Sequence, residues 1–315
     1  MQQTPMTDVS PLRLGTRASP LAMAQAHLTA AALTAAHPGI AIELVPMTAT
    51  GDRILDRALA EVGGKALWTR ELDAALGEHV IDFAVHSMKD VETLRPAAFH
   101  LAAMLPRADV RDKLIVRSDW AAATIEDLPH GARVGTSSPR RAAQLKSIRP
   151  DLATPLLRGN VQTRLGRVAD GSVDATLLAA AGLDRLGMGD VGAAIAIETL
   201  LPAASQGAVG IECRADDARM RGLLAAIDDA PTRRAVAAER ALLAALGGDC
   251  RSPVAAHASE DRDGRWALRA ILFAEDGSQQ VHGECALDDA RAPARLAQQL
   301  LADAPPAIAA LFTGG

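Results

Sequence analysis

The sequence predicts an α/β protein built as two similar lobes around a cleft, followed by a small C-terminal α+β domain. An internal echo is the first reason. Arg13-Leu14-Gly15-Thr16, followed by Ser19-Pro20 and Gln25, returns with one gap as Arg133-Val134-Gly135-Thr136, followed by Ser138-Pro139 and Gln144. A second echo keeps the same order: VIDFAVHSM from Val80 pairs with SVDATLLAA from Ser172, so Asp82 and Asp174 each open an apolar strand. Beyond Gly247-Gly248 the pattern changes to alternating strands joined by the turns Asp263-Gly264 and Asp276-Gly277. The first lobe is expected over residues 8–105 with 201–226, the second over 106–200, and the C-terminal domain over 229–315.

Each element has a local reason. Residues 12–16 read as a strand, and Ser19 at the N-cap with Pro20 in the first turn starts an apolar helix that runs to residue 36. Residues 42–46 form a second strand, 69–76 a helix after the Gly63-Gly64-Lys65 loop, and 81–88 an apolar strand that ends in Lys89-Asp90. Ser138-Pro139 repeats the helix start in the second lobe, and residues 153–157 read as a strand leading to Arg158-Gly159-Asn160. Residues 202–212 turn through Gly207 into a strand holding Cys213, read as a core thiol. A helix over 232–246 stops at Gly247-Gly248, a C-cap signal. Strands over 254–258, 265–273 and 279–287 and a helix over 293–302 complete the chain.

Composition narrows the function. At 315 residues there is room for two or three domains. No apolar run reaches the ~18 residues a membrane span needs, and residues 1–10 lack the basic start and apolar core of a secretory signal, so a cytoplasmic protein is expected. Cys213, Cys250 and Cys285 are odd in number and lack metal-ligand spacing, so neither a disulfide framework nor a metal is expected. Net charge is −5, yet residues 131–170 carry +6 and the rest −11. Nucleic acid explains this basic face poorly, because the chain as a whole is acidic and only 2% aromatic. A small anionic ligand explains it better.

The chemistry is expected at His86-Ser87-Met88-Lys89-Asp90, since ligands of open α/β sheets bind beyond the carboxyl ends of strands. Lysine is rare here, with four (65, 89, 113, 146) among 33 basic residues, so Lys89 beside Asp90 stands out; a solvated ion pair is the plain alternative. Arg140, Arg141, Arg158 and Arg164 lie near loops or helix starts with few carboxylates nearby in sequence. They are expected to face a solvent-filled cleft, where a planar guanidinium grips carboxylate or phosphate in two-point fashion. Two helix N-termini should add their dipoles. Gly63-Gly64-Lys65 has the wrong spacing for a phosphate loop. Cys250 sits in the short loop Gly247-Gly248-Asp249-Cys250-Arg251-Ser252-Pro253, where Arg251 favours its thiolate and Asp249 opposes it. The segment alone supports a covalent attachment point as well as it supports a catalytic thiol.

Taken together, His86-Ser87-Met88-Lys89-Asp90, Gly135-Thr136-Ser137-Ser138-Pro139-Arg140-Arg141, Leu157-Arg158-Gly159-Asn160 with Arg164, Ser205-Gln206-Gly207-Ala208-Val209-Gly210 and the Cys250 loop resemble the porphobilinogen deaminase family. The resemblance runs from about residue 12 to the C-terminus. It implies two periplasmic-binding-protein-like lobes and a third domain in a cytoplasmic, monomeric transferase. Such an enzyme joins four porphobilinogen molecules head to tail, releases ammonia and gives hydroxymethylbilane for haem and other tetrapyrroles. By motif match, Cys250 holds a covalent dipyrromethane cofactor through a thioether, and Asp90 is the catalytic carboxylate, stabilising the azafulvene cation left when ammonia departs. Lys89, Asp90, Ser138, Arg140, Arg141 and Arg164 would surround the cofactor; Arg17, Ser19, Lys65, Arg107, Arg158, Arg185 and Gln206 would receive substrate. The chain departs from the family pattern at Glu61 (often Lys), Trp68 (usually Phe), Pro139 (frequently Leu) and Ser205 (usually Gly). A two-lobed anion-binding or effector-sensing protein would share the lobes and cleft but would need neither Cys250 nor Asp90. A phosphate-handling transferase is disfavoured by the missing phosphate loop.

Overall fold

The structure, a computed structural model, describes residues 10–48, 68–249 and 251–312. In chain order its strands are β1 (Leu12–Arg17), β2 (Ile42–Met47), β3 (Phe83–Ser87), β4 (Phe99–Met104), β5 (Asp112–Val116), β6 (Val134–Gly135), β7 (Ala175–Ala179), β8 (Ala193–Ala194), β9 (Val209–Arg214), β10 (Val254–Glu260), β11 (Trp266–Phe273) and β12 (Gln280–Ala286). The helices are α1 (Pro20–Ala36), α2 (Arg70–Gly77), α3 (Pro139–Ile148), α4 (Val161–Ala169), α5 (Ala180–Arg185), α6 (Ala218–Ala225), α7 (Ala230–Leu246), α8 (Ala292–Asp303) and α9 (Pro306–Ala309). A single 3-10 turn, Met88–Asp90, follows β3. Three sheets result, ordered β2-β1-β3-β9-β4, β6-β7-β5-β8 and β10-β11-β12.

The two sequence echoes meet in space. In the first sheet β1 runs parallel to β3 with Leu14 opposite Phe83 and Gly15 opposite Ala84. In the second, β6 runs parallel to β7 with Val134 opposite Ala175 and Gly135 opposite Thr176. Arg13 donates to Asp82 from its backbone N (2.8 Å) and its guanidinium (3.3 and 3.0 Å). Arg133 repeats the pattern on Asp174 at 2.9, 3.0 and 2.8 Å. These half-exposed pairs contribute little energy; their consequence is register, since each locks the start of one strand to the start of its neighbour. The glycine of each copy is needed because a Cβ on Gly15 would stand 2.2 Å from Ile81 and one on Gly135 2.7 Å from Leu157.

Both expected helix starts form. Ser19 accepts from the Ala22 N–H and Ser138 from the Arg141 N–H, each at 3.4 Å, with proline in the first turn. Residues 153–157 differ from expectation. They run beside β6 but make only the isolated bridges Arg133–Ala153 and Thr136–Leu156, because Pro155 has no N–H to continue a ladder. In the third sheet alternate residues of β10 and β11 face α7 and α8, burying Leu242, Leu246, Leu268, Leu272, Leu296 and Leu300 together. Gly247 ends α7 at φ 66°, the left-handed residue a helix stop requires.

Two segments carry the chain between the first and second sheets, and they lie side by side: Ala108 N donates to Gly207 O at 3.3 Å. Ser205 stands there at φ 65°, a left-handed conformation that costs a non-glycine residue about 1–3 kcal/mol. A glycine would adopt that conformation without the cost. Arg107 corrects a sequence expectation. Its guanidinium is not presented to substrate but locked onto Glu239 of α7 at 2.8 and 3.0 Å, with Nε donating to Gln206 O. Glu239 is fully buried and also accepts from the N–H groups of Ser205 and Ala258, so Arg107 braces both crossing segments against the third sheet.

Candidate active site

The carboxyl ends of β1 and β3 and the N-termini of α1, α3 and α4 converge on one cavity of about 570 Å³. Among the described residues eight cations line it (Arg17, Lys89, Arg140, Arg141, Arg158, Arg164, Arg185, Arg240) against two carboxylates, Asp90 and Asp249. Asp249 is held by Arg251 at 2.7 Å, so the sequence expectation that Arg251 favours a thiolate at Cys250 is offset by that pair. Lys65 and Cys250 lie outside the described residues, as does Glu61. Asp249 and Ser252, on either side of Cys250, line the cavity.

The turn after β3 presents Lys89 and Asp90 half-buried at the floor. Burial, then the charge of Arg141, holds the Lys89 ammonium down at about 8. Arg17 lies over the Trp68 ring, 4.1 Å from its centroid, so the departure to tryptophan gives this guanidinium an aromatic platform. Arg164 donates to Gly159 O (2.9 Å) and Ser137 Oγ (3.3 Å), and burial followed by the charge of Arg141 lowers it to about 10. Arg185 donates to Gly207 O at 2.7 Å, and Arg158 lines the wall nearby. Ser19 and Ser138 stand at the rim as helix caps.

Arg140 and Arg141 do not face open solvent as expected. They are 3% and 5% exposed, and both grip the fully buried Asp112: Arg140 at 2.7 Å, Arg141 at 2.6 and 3.3 Å. Arg140 Nη1 donates to Leu201 O and Arg141 Nη1 to Leu177 O, while the buried Arg140 Nε has no hydrogen-bond partner among the described residues. Gln206, 1% exposed, adds a bond to Asp112 at 2.9 Å. Burial alone would raise the Asp112 carboxyl, but Arg141 and Arg140 outweigh it and drive it well below the usual carboxylate range. Both residues nevertheless line the cavity. An Arg141→Leu variant therefore loses part of a folded interior as well as a cation at the cavity wall.

Sequence reasoning missed Arg240. From α7 it donates to the carbonyls of Val91 (3.3 Å), Glu92 and Thr93 (3.0 Å), directly after Asp90, while Thr93 Oγ1 donates to Gly248 O at 3.0 Å. These bonds tie the segment after Asp90 to the one before Cys250. Arg95 anchors the same segment from the other side, bridging Glu92, Asp73 and Glu212 at 2.6, 2.5 and 2.7 Å. Burial would raise Glu212, but hydrogen bonds from His86 and Arg95 hold it down at about 2.

A mixed α/β chain with a deep cationic cavity around a strand-end carboxylate belongs to the class of enzymes that hold polyanionic ligands in a cleft. Comparison makes this specific. Residues 12–222 match the family model for the porphobilinogen deaminase dipyromethane cofactor binding domain, and residues 233–303 the model for the porphobilinogen deaminase C-terminal domain. A porphobilinogen deaminase of Sphingopyxis alaskensis is 68% identical over 309 residues, 97% of this chain and 98% of that one. That of Paracoccus denitrificans is 49% identical (94% and 95% covered), and a chloroplastic one of Oryza sativa subsp. japonica 47% (88% and 78%). The chain belongs to the porphobilinogen deaminase family.

The donor set fits the family's dipyrromethane cofactor. Carboxylate arms on two pyrroles would find cations on several walls, and Asp90 would offer an acceptor to pyrrole N–H groups.

Proposed function

We propose that this cavity performs the head-to-tail condensation of four porphobilinogen molecules, with release of ammonia, to give hydroxymethylbilane for tetrapyrrole and haem biosynthesis. The single observation that carries the assignment of residues is Asp90 at a strand end within a wall of cations. Arg17, Lys89, Arg158, Arg164 and Arg185 hold the acetate and propionate arms, each charge-assisted bond contributing roughly 1.5–3 kcal/mol. Asp90 accepts from pyrrole N–H and stabilises the positive charge that develops as ammonia leaves the aminomethyl carbon of the substrate. Ser19, Ser138 and Gln206 act through the backbone and side chains they fix, as Arg140 and Arg141 do in part. The dipyrromethane, bound through Cys250, supplies the primer that the chain extends. Residues 8–105 with 201–226, 106–200 and 229–315 serve as the three working units. The working form is a cytoplasmic monomer whose partner is porphobilinogen rather than nucleic acid or membrane. A binding protein without catalysis would have no use for Asp90.

Lys89 gives a pH test. Because its ammonium is held at about 8, the cation is present below that pH and lost above it. KM for porphobilinogen should rise as pH passes upward through about 8, and Lys89→Arg, which keeps the charge, should move the rise to higher pH. A KM that stays flat over roughly pH 7–9 in the parent enzyme would remove Lys89 from the binding set.

A further inference from the structure

Trp68, with Arg17 over its ring, lines one side of the main cavity, and the turn that carries Asp90 lines another. The residue after Trp68 is Thr69, 1% exposed, and two residues after Asp90 comes Glu92. Their side chains join the two sides: Thr69 Oγ1 donates to the Glu92 carboxylate, 2.9 and 3.1 Å from its two oxygens. Arg95 closes the triangle, its Nη1 donating to Glu92 at 2.6 Å and to Thr69 Oγ1 at 3.3 Å. Its Nε and Nη2 donate to Glu212 of β9 at 2.9 and 2.7 Å, and Nη2 also to Asp73 of α2 at 2.5 Å. Every nitrogen of one guanidinium is thus occupied, by three carboxylates and a hydroxyl. None of Thr69, Asp73, Glu92, Arg95 and Glu212 lines the main cavity, so the cluster touches no ligand there. Glu212 is fully buried in the first sheet, which fixes Arg95 to that sheet and, through Arg95, fixes Thr69 and Glu92 to each other.

We propose that Arg95, Thr69 and Glu92 are positioning residues that set the gap between Asp90 and the Arg17–Trp68 wall. The proposal rests on the reading of the site given above. An arm of the substrate can bind cations on one wall whatever the width of that gap. Loss of ammonia asks for more, because Asp90 must meet the charge at the aminomethyl carbon while the arms stay fixed. A misplacement of about 1 Å is enough to slow such a step on the order of 10²-fold. Loosening the cluster therefore acts on kcat and spares KM.

The test uses the holoenzyme with porphobilinogen. Thr69→Val keeps the volume of the side chain and removes the hydroxyl that joins the two walls, whereas Thr69→Ser keeps that hydroxyl. Thr69→Val should lose about tenfold in kcat with KM close to the parent's, and Thr69→Ser should recover the parental kcat. Trp68 gives a reading independent of turnover. Its quenching by acrylamide, taken as the difference between each protein and the same protein carrying Trp68→Phe, should be greater in Thr69→Val than in the parent or Thr69→Ser. Parental kcat and parental Trp68 quenching in Thr69→Val would overturn the proposal, as would a loss that Thr69→Ser shares in full. Should Thr69→Val not fold, Glu92→Ala removes the same link at a partly exposed side chain and should show the same fall in kcat; a parental kcat there overturns the proposal. A folded parent that consumes no porphobilinogen would refute the reading of the cavity instead, and the Trp68 comparison would still decide whether the cluster sets the gap.

Discussion

Asp90→Asn lowers turnover on the order of 10²–10³-fold while leaving the fold and the attached cofactor in place. The substitution keeps size and a hydrogen-bonding oxygen but removes the charge. Among the described residues, eight cations line the cavity and the one other carboxylate there, Asp249, is held by Arg251, so Asp90 is the group left to compensate the positive charge that departing ammonia leaves. The effect should therefore fall on kcat rather than KM, because the arms of the substrate are held by other residues. Circular dichroism and a Tm close to the parent's would show that folding is spared. Parental turnover in Asp90→Asn would end the electrostatic role assigned to this carboxylate.

Asp112→Asn has the largest expected effect on stability. It strips the negative charge from between two guanidiniums that are themselves almost wholly buried, leaving both without compensation. Breaking a buried ion pair in this way costs about 3–5 kcal/mol. Thermal unfolding at neutral pH should shift down on the order of 10 °C. The sign with pH follows from the depressed folded-state value of Asp112. Its contribution is fully present above the unfolded pKa of about 3.9 and disappears as pH falls through the lower folded value. The difference between parent and variant should thus be full at pH 7 and shrink only in strong acid. A variant that melts with the parent at pH 7 would show that the two arginines do not depend on Asp112.

What the sequence revealed and what it hid follow from distance along the chain. Ser19-Pro20 and Ser138-Pro139 announced their helices because capping is local, involving residues three apart. The echo of Arg13 and Asp82 in Arg133 and Asp174 was legible as a repeat, although only the structure shows the members of each pair bonded to one another. Arg140 and Arg141 were placed correctly at a helix start beside the cavity, but their partner lies 28 and 29 positions away on β5, and no periodicity connects them. Arg107 was misread for the same reason: Glu239 is 132 residues distant. Arg240 carried no signal, since α7 reads as an ordinary amphipathic helix and the carbonyls it grips follow Asp90 nearly 150 positions earlier. A resemblance between motifs can place a residue near a site without saying whether its charge is already spoken for.

One thiol is expected to carry the primer through every round of condensation, and intact-protein mass spectrometry reads that attachment. Cys213 is fully buried, with its thiol pushed up to about 11 by burial, and Cys285 is half-buried against Ala292 O. Attachment is therefore expected at Cys250 alone, where a thioether would withstand repeated turnover. Active enzyme should weigh more than its sequence by one dipyrrole. Peptide mapping should place that mass on the segment containing Cys250, and Cys250→Ser should lack it. Active enzyme in which Cys213, Cys250 and Cys285 are all unmodified would rule out a thiol-bound primer.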